Sequence, residues 1–138
     1  MRLWRFERRW LVEVFQTILP SRADPQLSLG AADLPIDRFI DDLTMHAPRR
    51  LVLGLRLALW VVVFSPLVLS RRLRTFFGLG RADRVALLDR LRQSRWYLLR
   101  ELPVLLKSVA CLGYCGHPAV QAQIGIRPID ERPPSWAQ

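Results

Sequence analysis

Cys111, Cys115 and His117 make a C-x-x-x-C-x-H run, the part of the sequence where residue types alone suggest a haem, a metal or a thiol nucleophile. Covalent haem attachment uses C-x-x-C-H, which this run misses by its spacing. A zinc site wants four ligands; His46 is the only other histidine, and there is no further cysteine. A nucleophilic thiol needs a positioned base, and His117 lies in a turn between Gly116 and Pro118. Two cysteines four residues apart are neighbours on one helix face, so the expectation is buried thiols at a packing face, in a reducing compartment.

The other polar clusters lead no further. Asp37 and Asp41 share a helix face with Asp42 beside them, which suits a cation or general acid chemistry in principle; a solvated or arginine-paired face is the ordinary reading. The GLG at 78–80 lacks a third glycine and follows an arginine-rich segment rather than a strand, and there is no phosphate loop or serine elbow. No catalytic, cofactor-binding or metal-ligating residue is assigned, which implies a chain that works by binding a partner.

The elements around these residues read as helices. Leu3, Phe6, Trp10, Val14 and Ile18 recur at spacings of three and four, with Arg5, Glu7, Arg9 and Glu13 largely off the stripe, which predicts an amphipathic helix stopped by Pro20. Residues 21–35 shift to Pro, Ser, Gly, Ala and Asp and predict a long surface loop of a kind that usually contacts something. Ile36, Phe39, Ile40 and Leu43 predict a short helix over 36–46, closed by Pro48.

The run from Leu51 to Leu69 is nearly all apolar, between Arg49 and Arg50 on one side and Arg71, Arg72 and Arg74 on the other. At about 1.5 Å per residue it just spans a bilayer core of roughly 30 Å. Arg56 inside it costs roughly 2.5–3.5 kcal/mol if placed centrally, though it can snorkel, and Pro66 interrupts the backbone ladder. Basic residues at both ends suit a helix lying in the headgroup plane or packed under a partner, and a true span stays open beside that reading.

Gly78 and Gly80 punctuate the next stretch, and Asp83 falls in the first turn of a helix carrying Val85, Leu88, Leu91 and Arg95 on one stripe, with Leu87 beside it. Trp96 to Tyr114 predicts another apolar-rich helix, with Pro103 kinking it or setting its start and Gly113 and Gly116 marking its end. The tail from Gly125 carries Pro128, Pro133 and Pro134 and reads as an extended arm, either disordered or laid over a partner with Trp136 as anchor. The fold class is therefore all-α: a small bundle of about four to five helices in one domain over 1–126, with an arm over 127–138.

Composition fits a partner-dependent chain. The 138 residues suffice for one core, yet 51% are hydrophobic and the net charge is +9, an unusual pairing in a free soluble monomer. All the basic residues but Lys107 are arginine, the side chain suited to bidentate pairing with carboxylates and phosphates, although genome composition gives the same bias. From Arg49 to Arg100 twelve arginines face only Asp83 and Asp89. Such a surplus suits anionic lipid or an acidic protein surface; nucleic acid is not expected, because the arginines flank apolar runs and no recognition motif is present. The stretch after Arg8 and Arg9 contains Glu13 and Gln16 and leads to no small-residue cleavage site, so it does not read as an export signal.

FQTILPS at 15–21, LRLALWVVVFSPLVL at 55–69, and the segment from RTFFGLGRADR at 74 to GHPAVQAQIGI ending at 126 carry a resemblance over most of the chain. In order and polarity they resemble the gluconate 2-dehydrogenase subunit 3 family and the related N-terminal region of long-chain alcohol oxidases. The resemblance implies a non-catalytic helical partner of a glucose-methanol-choline type flavoprotein. That partner would hold the FAD and remove hydride from an alcohol carbon, with no cofactor in this chain. Family members with an export signal and a cytochrome c partner differ from this chain, which carries neither a signal nor a haem motif; compartment and electron acceptor stay open. Lipophilic alcohol substrates imply a peripheral position at the cytoplasmic side of a membrane. The expected membrane or partner contact comprises Leu51, Arg56, Trp60, Phe64, Leu67, Arg71, Arg72, Arg74, Phe76 and Phe77, and the expected partner-binding arm comprises Arg127, Pro128, Pro133, Pro134 and Trp136.

Overall fold

A computed structural model describes residues 2–22, 25–69, 74–126 and Trp136. The chain is all-α: α1 (Arg5–Ile18), α2 (Ile36–His46), α3 (Arg49–Leu69), α4 (Arg81–Arg92), α5 (Tyr97–Cys115) and α6 (Pro118–Gln123), with 3-10 turns at Ala31–Asp33 and Phe76–Gly78. The chain divides into two compact units, Met1–Ala47 with Val109–Gln138, and Pro48–Ser108, the division falling inside α5.

In the first unit α1 packs on α2 and on the 3-10 turn that precedes α2. Its buried residues are Glu7, Leu11, Val14, Phe15 and Thr17, a stripe turned by about one residue from the expected one. The cause is local. Phe6 meets Trp4 in a tilted contact and Trp10 edge-on on the outer side, with centroids 5.3 Å and 5.0 Å apart, and Glu7 turns inward, where its carboxylate accepts the Trp4 backbone N–H at 2.9 Å. α2 follows its sequence pattern, burying Ile36, Phe39, Ile40 and Thr44, while Asp41 stays outside and pairs with Arg8 of α1 at 2.6 Å.

The described residues between Ser21 and Pro35 are fastened to their own unit. The Tyr114 hydroxyl donates to the Leu29 carbonyl at 2.6 Å, Gln123 Nε2 donates to Ser28 Oγ at 2.9 Å, and the Ala31 N–H donates to the Leu19 carbonyl at 2.9 Å. Gly30 is buried where any Cβ would strike the Ser21 backbone. Asp33 accepts from the Ser21 hydroxyl at 2.7 Å and from the Gly30 N–H at 2.8 Å, and these bonds, with the nearby Arg22 charge, hold its carboxyl below the usual range. Gly113 sits inside α5, not at its end. A Cβ there would lie 2.5 Å from the Phe39 ring, so the missing side chain is what lets α2 approach.

In the second unit α3 packs on the 3-10 turn at Phe76–Gly78. That turn is organised by Arg84 of α4. Its Nε donates to the Phe76 and Leu79 carbonyls, both at 3.1 Å, its Nη2 donates to the Phe77 carbonyl at 3.0 Å, and its guanidinium lies 5.1 Å from the Phe76 ring centroid. This fixes the rotation of α4, which buries Leu87 and Leu91, three and seven residues on from Arg84, and leaves Val85 exposed. The expected stripe through Val85 and Leu88 is thereby corrected: a half-buried arginine that donates to three carbonyls, absent from an apolar pattern, selects the face. α5 begins at Tyr97 and runs through Pro103, so that proline neither starts nor stops it.

Candidate partner-binding face

α3 begins after Pro48, whose carbonyl accepts the Leu51 N–H at 2.9 Å. It continues through Pro66 to Leu69 because the ladder is repaired locally. A proline at 66 leaves the Val62 carbonyl without its usual donor four residues on, and the Ser65 hydroxyl donates to that same carbonyl at 2.9 Å in a buried setting. The expected interruption at Pro66 therefore does not occur.

One side of α3 is core: Val52, Leu55, Ala58, Leu59, Val62 and Val63 are buried, with Ser65 and Pro66. The opposite side is equally apolar and faces out. Leu53, Leu57, Phe64, Leu67 and Val68 are exposed, Leu57 by 62% and Val68 by 80%. The spacing of 53, 57, 60, 64 and 67 places them with Trp60 on one stripe. Trp60 and Phe64 stack, with centroids 5.4 Å apart and planes at 24°, so the aromatic part of the stripe is a preformed flat patch. The helix is long and apolar enough to cross a membrane by length and composition, yet only 44% of its apolar window is buried, less than a core helix of a soluble protein would show.

The residues expected from sequence divide accordingly. Phe64 and Leu67 lie on the exposed face, Arg74 is exposed, and Leu51, Arg56, Trp60 and Phe77 are half-buried. Phe76 is a correction: it is fully buried beneath Arg84 and offers no surface. Arg71 and Arg72 lie outside the described residues. Leu53, Leu57 and Val68 were not singled out by the sequence reading, because a helix apolar all round carries no signal of which side turns outward.

The C-terminal arm also changes meaning. Trp136 is only 7% exposed; its ring meets Phe39 at 5.1 Å in an edge-on contact and lies 5.7 Å from the His117 ring. It anchors the chain to itself, where an anchor on a partner was expected. Arg127, Pro128, Pro133 and Pro134 lie outside the described residues.

The thiols and histidine are placed as follows. Cys111 is half-buried and Cys115 exposed, so the expected burial fails for Cys115. His117 caps α6, its Nδ1 accepting the Ala119 N–H at 3.2 Å, and burial pushes its pKa below the ordinary value. No group of three metal-ligating side chains is present among the described residues. Asp42 pairs with His46 at 3.3 Å, as a solvated face would. At the start of α1, Arg2, Arg5, Arg8 and Arg9 surround an open hollow of about 560 Å³ with Asp41 at its edge, a second basic region beyond the arginine-rich middle.

Comparison with family models, with curated proteins and with solved structures finds no match.

Proposed function

We propose that this chain is a non-catalytic accessory subunit of an FAD-dependent oxidoreductase of the glucose-methanol-choline type, stabilising the flavoprotein and helping it reach a lipophilic alcohol at a membrane surface. The observation that carries the reading is the exposed apolar stripe of α3 from Leu53 to Val68, on a helix whose other side already holds a core. A contiguous apolar face of that length on a soluble surface is a binding face awaiting cover. Burying each leucine or phenylalanine of the stripe contributes about 1.5–3 kcal/mol before the cost of association is met. The choice of flavoprotein rests on the family resemblance of the segments at 15–21, 55–69 and 74–126. In this reading the FAD belongs to the partner, and this chain supplies surface, orientation and a location peripheral to the cytoplasmic face of a membrane.

Co-expression tests it. A glucose-methanol-choline type flavoprotein that co-purifies with this chain is expected to lose most of its soluble, flavin-loaded yield when this chain is omitted, and equal yield and turnover without it would sink the reading.

A second reading, a membrane anchor without an enzyme partner, is favoured by the length and apolarity of α3 and by Arg49, Arg50 and Arg74, exposed beside its ends. Resistance of the chain to alkaline extraction from membranes, with no flavoprotein bound, would select it.

A further inference from the structure

At the start of α5 three consecutive apolar side chains, Trp96 just before the helix and Tyr97 and Leu98 in its first turn, are 75%, 64% and 76% exposed. Single exposed apolar residues are ordinary, but three in a row, two of them large aromatics with a polar edge, form a concentrated patch. The patch belongs to a hydrogen-bonded turn. The Gln93 N–H donates to the Asp89 carbonyl and the Ser94 N–H to the Leu91 carbonyl, both at 3.1 Å, the Trp96 N–H donates to Ser94 Oγ at 3.3 Å, and the Arg100 N–H donates to the Trp96 carbonyl at 3.1 Å.

The charge around it has one sign in excess. Between Asp89 and Glu101 there are four arginines, at 90, 92, 95 and 100, against those two acids. All four arginines are exposed. Arg92 is held by Asp89 at 3.0 Å, and the Arg100 guanidinium lies 5.5 Å from the Tyr97 ring centroid, keeping cation and aromatic side by side.

We propose that this turn is an anchor for an anionic bilayer interface, with Trp96, Tyr97 and Leu98 entering the boundary between headgroups and acyl chains and Arg92, Arg95 and Arg100 meeting lipid phosphates. Amphipathic aromatic rings settle at that boundary, and guanidinium groups bind phosphate bidentately. Geometry favours lipid over protein as the occupant. Successive side chains at a helix start diverge by about 100° around the axis, so a flat protein face covers only part of such a tip, whereas a fluid interface surrounds it. Each arginine brought near anionic lipid strengthens binding by about fivefold. The inference rests on the part of the proposed function that puts the chain at a membrane surface, and is independent of the flavoprotein contact on α3.

Flotation of the full chain with vesicles of phosphatidylcholine alone, and of phosphatidylcholine mixed with phosphatidylserine, tests it. Wild type is expected on the mixed vesicles at least about tenfold more tightly than on the neutral ones. A Trp96→Ser, Tyr97→Ser, Leu98→Ser variant is expected to lose about tenfold or more in binding, and Arg92→Gln, Arg95→Gln, Arg100→Gln to lose the preference for charge, both with unchanged helical circular dichroism. A Leu57→Glu, Phe64→Glu variant is expected to keep its vesicle binding. Failure of wild type to bind either vesicle overturns the inference together with the membrane reading. Undiminished binding by the serine variant overturns the inference alone, as does a serine variant that keeps its vesicles but loses a protein partner.

Discussion

α2 and α3 are neighbours in sequence and opposites in design. α2 buries Ile36, Phe39, Ile40 and Thr44 and turns Asp37, Arg38, Asp41 and Met45 outward, so its polar side tells which way it faces and its needs are met inside the chain. α3 buries Val52, Leu55, Leu59 and Val62 and turns Leu53, Leu57, Phe64 and Val68 outward. In each helix a little over a third of the residues are buried, four of eleven in α2 and eight of twenty-one in α3. What remains on α2 is solvated, and what remains on α3 is apolar surface left exposed by this chain alone. The difference separates a helix whose outer side is solvated from one whose outer side is apolar, the surface that the proposed interface would cover.

The sharpest way to break this comparison lies within α3, two residues apart. Leu59→Ala removes a fully buried side chain and is expected to lower unfolding stability by about 2–5 kcal/mol in urea titrations, whereas Leu57→Ala, mostly exposed, is expected to stay within about 0.5 kcal/mol of wild type. Equal effects at the two positions would mean that both sides are core. Next in size is Gly113→Val, which drives a side chain into the Phe39 ring and is expected to cost about 1–3 kcal/mol; pairing it with Phe39→Leu should recover part of the loss. Ser65→Ala leaves the buried Val62 carbonyl without the hydroxyl that replaces the Pro66 donor and is expected to cost about 1–3 kcal/mol, with helical signal lost near the end of α3.

The smallest effect is a pH dependence in the first unit, with no counterpart expected from the α3 face. Burial holds the His117 pKa below its ordinary value, so the unfolded chain binds the proton more readily than the folded one. Its contribution is therefore complete above the ordinary histidine value of about 6.5 and is lost progressively as the pH falls below it. Protonation also removes the Nδ1 acceptor that caps α6. Histidine titration by NMR should place His117 below the ordinary histidine value, and His117→Asn, which keeps a capping acceptor without the titration, should flatten the stability profile below about pH 6.5.

The fold was largely legible in the sequence, because helices at 5–18, 36–46, 49–69 and 81–92 announce themselves by apolar spacing and by prolines and glycines at their ends. The rotations were legible only where polar residues mark the outer side. α1 and α4 turned away from their apparent stripes because one charged side chain in each is drawn inward to satisfy backbone groups: Glu7 by the Trp4 N–H, Arg84 by the carbonyls of Phe76, Phe77 and Leu79. An apolar periodicity does not contain such contacts. α6 was missed because its six residues, Pro118 to Gln123, are too few for a periodic signal. Of the candidate site, the segment was legible and the face was not: Phe64 and Leu67 fell on it, Phe76 went to the core, and Leu53, Leu57 and Val68 emerged only when the helix acquired an inside. Trp136 could not be placed from a proline-rich tail, since its partners Phe39 and His117 are distant in sequence.

In the proposed complex the outward face of α3 holds the flavoprotein. Affinity purification of tagged wild type and of a Leu57→Glu, Phe64→Glu variant from the native host, followed by identification of the bound protein and its visible absorbance spectrum, tests it most directly. The account predicts a yellow, near-stoichiometric complex with an FAD-containing glucose-methanol-choline type oxidoreductase for wild type, and its loss from the variant while the variant keeps wild-type circular dichroism. Recovery of that flavoprotein in equal amount with both chains, or with neither, would contradict it.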